Sequence, residues 1–263
     1  MKLLKNKKTR VVIIVMTALV VLSLIFSKFY YQSINDSVDP RIVSARNMYE
    51  NYNKLTQDHQ YEDVIVLMDS IQHIFDQHDF YKNSFETGVL ANNRAAVYLS
   101  VSLHKDSLKA MSKAGGLTKL SRDSLLDLAT RELDFALDVY YEWKNTYADM
   151  SRKEWETSIK ADFFRGLEEY NTEEKEAFLA NRLDLMEDTK TEIDRRLSVS
   201  HSNMGMVYRL GEEYDSAVHQ YAKAMELWDR NLTAENNLNV LLDKPLKKRN
   251  IIQKLFPPDK GDN

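Results

Sequence analysis

The sequence offers one dense group of potential metal ligands, His73, Asp76, His78 and Asp79. Imidazole and carboxylate groups are ligands that zinc takes in proteins. On a helix, His73 and Asp76 share one face, whereas His78 falls away from it. A structural zinc site is closed by four well-placed ligands, so this spacing favours a solvated helix end. We therefore expect no metal and no cofactor.

Short catalytic motifs are absent from the sequence. It contains no P-loop, no G-x-S-x-G elbow, no H-E-x-x-H helix and no glycine-rich dinucleotide turn. Acidic pairs such as Glu168-Glu169 and Glu187-Asp188 fit exposed helix faces, because nothing in the sequence places two carboxyls across a cleft. We therefore predict that the protein is not an enzyme.

The strongest pattern lies in residues 204–224, where small and aromatic residues recur at helical spacing. Its positions are Met204, Gly205, Tyr208, Ala217, Tyr221 and Ala224. Small residues let two antiparallel helices approach closely, tyrosines fill the space between them, and the last alanine admits a further helix. This pattern resembles the tetratricopeptide repeat, a helix–turn–helix unit of about 34 residues. His201 and Asp229 depart from the family, which usually has Trp and Pro there.

The resemblance implies an all-α fold, a right-handed solenoid of about four hairpins plus a capping helix over residues 41–243. An insertion at 105–121 would form a loop on one face. The predicted elements are helices at 41–57 and 60–77, a second hairpin, hairpins at 151–197 and 198–231, and a cap at 234–243. In the second hairpin, Ala95 and Tyr98 match Gly205 and Tyr208. Its other matches, Ala129, Leu133 and Ala136, correspond to Ala217, Tyr221 and Ala224.

Repeats of this family bind a protein or peptide on a concave surface. Asn and Arg side chains on the first helix of each pair suit that role, because they bond to peptide backbone or carboxylate. The lysines of members that grip a terminal carboxylate are not matched here, so we favour asparagines that bond within their own hairpins over a carboxylate clamp. The expected groove residues are Asn92, Asn93, Val199, Ser202, Asn203, Met206, Arg209, Asn236 and Asn237.

The N-terminal sequence is typical of a membrane anchor. Residues 11–31 are almost entirely apolar, and a spanning helix needs about 20 residues. The basic, acid-free segment 1–10 would stay in the cytoplasm and send the body across, after a polar tether at 32–40. A cleaved signal peptide is the alternative, but small residues suited to cleavage are missing. We expect a single-pass protein of a bacterial inner membrane with a periplasmic body.

Charge is segregated along the chain, whose net charge is −4. The body is acidic, which argues against nucleic acid as a partner. The basic, amphipathic tail at 244–263 either packs on the cap or lies on an anionic membrane. The chain lacks cysteine, so no disulfide or thiol chemistry is available.

Two functions remain open. The first is a scaffold or adaptor that recruits proteins, in envelope assembly, secretion or chaperone networks. The second is a sensor or enzyme accessory protein that binds a small molecule or glycan. A long open groove would favour the first, and a closed aromatic pocket would favour the second. The oligomeric state is undetermined by the sequence.

Overall fold

The computed structural model describes residues 37–110 and 115–248. Within those ranges all regular structure is helical, which confirms the predicted all-α class. The first helices are α1 (Val43–Tyr49), α2 (Tyr52–Gln57), α3 (Tyr61–Asp76), α4 (Phe85–Ala110) and α5 (Arg122–Tyr147), with a 3₁₀ helix at Gly115–Lys119. The others are α6 (Arg152–Phe164), α7 (Thr172–Leu210), α8 (Tyr214–Leu227) and α9 (Leu232–Leu241).

Side chains at helix starts explain several boundaries. Ser151 and Asn171 open α6 and α7, and each forms a reciprocal capping box with the glutamate three residues later. Ser121 and Asn231 accept backbone N–H groups at the starts of α5 and α9. Such caps satisfy donors that have no partner inside the helix, so the short polar loops end in well-defined helix starts.

Two long hairpins, α4–α5 and α7–α8, form the centre of the structure. Helix α5 also packs on α7, α3 covers α4, and α9 packs on α8. The positions predicted to pack in the second hairpin are buried; they are Ala95, Tyr98, Ala129, Leu133 and Ala136. Toward the C-terminal end of the described residues, a small apolar cluster of Ala217, Tyr221, Ala224 and Ala234 joins α8 to α9.

Helix α7 differs from the prediction, in which one hairpin ends at residue 197 and the next begins at residue 198. It runs unbroken for 39 residues, so one helix serves both predicted hairpins. The stretch 193–203 contains no Gly or Pro, the residues that most often interrupt a helix. Ser198 fits inside α7 because its hydroxyl donates to the carbonyl oxygen of Ala224 over 2.6 Å.

The ends of the first hairpin and the insertion also differ from prediction. The helix expected at 41–57 is divided into α1 and α2. Helix α4 extends to Ala110 with a kink at His104, so the start of the predicted loop 105–121 is helical. Lys105 Nζ donates to the carbonyl oxygen of Leu120 over 2.5 Å and draws the two ends of the insertion together.

The predicted membrane segments cannot be compared with the structure. Segments 1–10 and 11–31, most of the tether and residues 249–263 of the tail lie outside the described residues. Among the helices that are described, none combines the length and apolar character needed to cross a bilayer.

Candidate functional site

The predicted groove residues Asn92 and Asn203 lie against each other at the contact between α4 and α7. Asn203 Nδ2 donates to Asn92 Oδ1 over 3.2 Å, and Ser200 Oγ donates to the same oxygen over 3.0 Å. Asn92 is buried, whereas Asn203 is half-buried. The Asn92 amide oxygen therefore joins the two central hairpins, so the prediction that these asparagines bond within their own hairpins is wrong for Asn92 and Asn203.

Asn93 serves a different contact. Its Nδ2 donates to the hydroxyl of Tyr49 over 2.8 Å, which ties α1 to α4. On α7, Ser202 is buried, and Val199 and Met206 are half-buried. These side chains are thus only partly available to a partner.

The remaining predicted residues lie at the α7–α9 end. Arg209 Nη1 donates to Asn237 Oδ1 over 3.3 Å. Asn236 exchanges two hydrogen bonds with the backbone of Lys247, of 3.1 and 2.7 Å, so the start of the tail lies along α9. The structure therefore brings Asn92 to Asn203 and Arg209 to Asn237, and the role of the set in binding a partner stays a prediction.

The potential metal ligands at the end of α3 bond to separate neighbours. His73 pairs with Gln77, Asp76 accepts from Gln72, and Asp79 accepts from Lys82. In the part of the chain that the structure describes, no three His, Asp or Glu side chains gather as metal ligands would.

A buried polar network that the sequence did not predict fixes the start of the body. Arg41 Nε donates to Asp39 Oδ1 over 2.9 Å, and the Tyr81 hydroxyl donates to Asp39 Oδ2 over 2.8 Å. The Arg41 guanidinium also donates to the carbonyl oxygens of Phe163 and Arg165, over 2.9 and 2.8 Å. We call these residues, Asp39, Arg41 and Tyr81 with the two carbonyls, the N-terminal clasp. It ties the end of the tether to the end of α6.

A second ion pair lies beside the clasp. Arg182 on α7 is buried and binds the carboxylate of Glu86 on α4 through two guanidinium nitrogens. The rings of Phe80 and Tyr81 lie 5.4 and 5.5 Å from its guanidinium carbon. Burial alone would raise the pKa of Glu86, but the opposing effects, led by the charge and hydrogen bond of Arg182, outweigh it and lower that pKa. Burial raises the pKa of the Tyr81 hydroxyl well above its ordinary value.

This network was hard to foresee because its members are far apart in sequence. Asp39 and Tyr81 are separated by 42 positions, and Glu86 and Arg182 by 96. The only local signal is the sequence Asp39-Pro40-Arg41, which places opposite charges side by side at the end of the predicted tether.

A polar cleft of about 480 Å³ opens next to the clasp. Its lining combines charged side chains of both signs with aromatic rings. Among the lining residues are Arg41, His78, Phe80, Trp143, Tyr147 and Asp162. Burial first, and the charge of Arg41 second, lower the pKa of His78. The cleft has the size of an ordinary small-molecule site.

A second cavity, of about 350 Å³, is a mainly apolar groove between α1 and α7. We call it the α1–α7 groove. Its lining includes Ile42, Tyr49, Phe75, Val89, Leu90 and Leu185. The charged residues of its lining are Arg46, Glu86, Asp188, Glu192 and Arg196. The sequence did not predict this groove, because the repeat pattern makes the residues of α1 part of a repeat helix.

Comparisons with protein families, with curated proteins and with solved structures found no match to this chain.

Proposed function

We propose that this protein is a membrane-anchored scaffold or adaptor of tetratricopeptide-like architecture, which binds a protein or peptide outside the cytoplasm. Residues 11–31 would hold it in a bacterial inner membrane, and the helical body would recruit partners in the periplasm. Envelope assembly, secretion and chaperone networks are settings in which such a scaffold acts.

The α7–α8 hairpin is the observation that carries this proposal. Gly205 faces the buried ring of Tyr221, and Ala224 lies in one cluster with Ala234 of the next helix. A glycine opposite an aromatic ring, followed by a small residue at the next contact, is the packing that the repeat pattern requires. Stacked hairpins of this kind form extended surfaces that suit protein partners. A solenoid of such hairpins is our interpretation of the helical body.

Crosslinking of the full chain in cells tests the proposal. Proteins captured by the tagged chain should exceed those captured by residues 1–40 fused to an unrelated domain. The double variant Asn203→Ala/Arg209→Ala should then lower the recovery of those partners several-fold. The matched control is Arg131→Ala/Glu173→Ala, because both residues are exposed.

Each result has a distinct meaning. If the full chain captures nothing beyond the fusion control, the scaffold proposal is rejected. If both double variants recover the partners equally, the predicted groove residues are rejected as the contact surface. Circular dichroism of each variant shows whether the helical body is intact.

The polar cleft supports the second candidate, a small-molecule or glycan-binding accessory protein. It has aromatic rings for stacking and polar groups for orientation, among them Trp143, Tyr147 and Asp162. Thermal shifts with panels of glycans and periplasmic metabolites test this function. A ligand that raises the unfolding temperature, with the shift lost in Asp162→Ala, would favour it over the scaffold.

A further inference from the structure

We propose that the α1–α7 groove is a docking site for an amphipathic helix of a partner protein. This inference rests on the proposed scaffold function and names the surface and the kind of partner. The proposed surface includes none of the groove residues predicted from the sequence, such as Asn92, Asn203 and Arg209.

The two walls of the groove are helical stripes. Ile42, Ala45 and Tyr49 lie about one turn apart along the α1 side, and Leu185, Thr189 and Glu192 do the same on α7. Ile71, Phe75, Val89 and Leu90 of α3 and α4 also line the groove. Such a trough between two helices accepts the apolar stripe of a third.

The lining decides between a helix and an extended peptide. An extended segment needs partners for its own N–H and C=O groups, and each group left unpaired lowers the affinity. The groove is mainly apolar, and the backbone groups of helices α1 and α7 are committed within those helices. A helix brings its backbone bonds with it, so its occupant needs only apolar side chains and a few charges.

Free charges on the groove edge define the partner further. The side chains of Arg46, Asp188 and Arg196 form no hydrogen bond or ion pair with any residue that the structure describes. Asp188 and Arg196 both lie on α7, eight positions or about 12 Å apart along the helix. A complementary helix therefore carries a basic and an acidic residue about two turns apart, on the side of its apolar stripe that faces α7.

The N-terminal clasp holds one wall of this groove in place. Arg41 of the clasp directly precedes Ile42, and Val38 on its other side also lines the groove. The wall is thereby fixed by contacts with α6 and Tyr81 before any partner arrives. Such preorganisation lowers the ordering cost of binding.

Designed peptides test the inference on the full chain in nanodiscs. Each fluorescein-labelled peptide is a helix of about 18 residues, or five turns, with one leucine stripe. The first carries Glu and Lys eight positions apart beside the stripe, the second two Lys, and the third two Glu. Fluorescence anisotropy should show the Glu/Lys peptide binding about tenfold more tightly than the other two.

Three variants locate the binding. Thr189→Trp, which fills the groove, should weaken the Glu/Lys peptide at least tenfold. Arg196→Glu should reverse the preference in favour of the two-Lys peptide. Arg131→Glu changes an exposed charge on α5 and should leave the affinities of all three peptides unchanged. Circular dichroism and melting of each variant confirm that the fold is retained.

Other results overturn the inference. Absence of binding by all three peptides, or binding that Thr189→Trp leaves unchanged, removes the groove as a helix site. Self-association of the chain that Thr189→Trp abolishes, without peptide binding, assigns the groove to a second copy. Uptake of a labelled fatty acid alone assigns it to lipid. In each case partner capture in cells still decides the scaffold function separately.

Discussion

A Cβ atom placed on Gly205 would lie 2.7 Å from Cε1 of Tyr221. The same relationship recurs in the α4–α5 hairpin, where a Cβ atom on Gly88 would lie 2.8 Å from Cε1 of Tyr140. Both rings are buried, so neither can swing into solvent to make room. Each central hairpin thus uses a glycine on its first helix to admit a tyrosine from its second.

Replacing Gly205 tests this packing. Gly205→Leu should lower the free energy of unfolding by about 1–3 kcal/mol, because the added side chain overpacks the Tyr221 ring. Adding Tyr221→Leu should recover part of that loss, since the two changes act at one contact and are not additive. Thermal and urea unfolding of the full chain in detergent, followed by circular dichroism, measures both effects.

Gly211 provides the matched control. A Cβ atom there would make only ordinary contacts, the nearest at 3.5 Å, so Gly211→Ala should change stability by less than about 1 kcal/mol. Equal stability of Gly205→Leu and the wild type would contradict the close approach of α7 and α8.

The N-terminal clasp should be a main source of stability at the start of the body. Arg41→Met would leave the buried carboxylate of Asp39 without its cation and two carbonyls without a donor. We expect the free energy of unfolding to fall by about 3–5 kcal/mol, as it does when a buried ion pair loses one partner. Arg46→Met is the control, because Arg46 is exposed and should contribute less than about 0.5 kcal/mol. A similar small effect of both substitutions in urea unfolding would show that the clasp is dispensable.

The pair of Glu86 and Arg182 predicts a pH dependence of stability. Burial opposes ionisation of Glu86, but the opposing effects, led by the charge and hydrogen bond of Arg182, outweigh it, so the pKa of Glu86 in the folded state lies below its ordinary value of 4.5. A carboxyl with a depressed pKa stabilises the fold above its unfolded pKa and loses that effect as the pH falls through its folded pKa. The contribution is therefore complete at pH 7 and fades below about pH 4.

Glu86→Gln isolates this contribution. This substitution should lower the free energy of unfolding by about 3 kcal/mol at pH 7. That is the low end for a broken buried pair, because the Glu86 side chain is 29% exposed. The difference from the wild type should shrink as the pH is lowered toward 3 in a series of urea titrations. Glu192→Gln, which breaks an exposed pair with Arg195, should cost at most about 1 kcal/mol at every pH. A Glu86→Gln effect that is constant with pH would contradict the lowered pKa.

Local and periodic features could be predicted from the sequence. The capping box of Ser151 and Glu154, the Gly205 contact and the buried alanines of α5 depend on residue types at short, fixed spacing. Such patterns identify helices and their packing faces without knowledge of the rest of the chain.

Features that join distant segments could not be predicted. Asp39 meets Tyr81, and Glu86 meets Arg182, only after the helices have packed. The continuity of α7 was missed because a repeat register was imposed on residues 198–210, although the preceding residues contain no helix breaker. For the candidate site, residue type suggested binding by Asn92, but its burial against Ser200 depends on the contact between α4 and α7.

Membrane topology is the remaining prediction, and it depends on the sequence of the first 40 residues. The basic residues before the apolar segment 11–31 should keep the N-terminus in the cytoplasm, because positive charge resists transfer across the membrane. A reporter that is active only after export, fused after Asn263, should therefore be active. Replacing the basic residues Lys2, Lys5, Lys7, Lys8 and Arg10 with Asn should reduce that activity, whereas the same number of Lys→Asn changes in the body should not. Mass spectrometry of the mature protein should still detect residues 1–30. Their loss would identify a cleaved signal peptide, and an inactive reporter with intact protein would place the body in the cytoplasm.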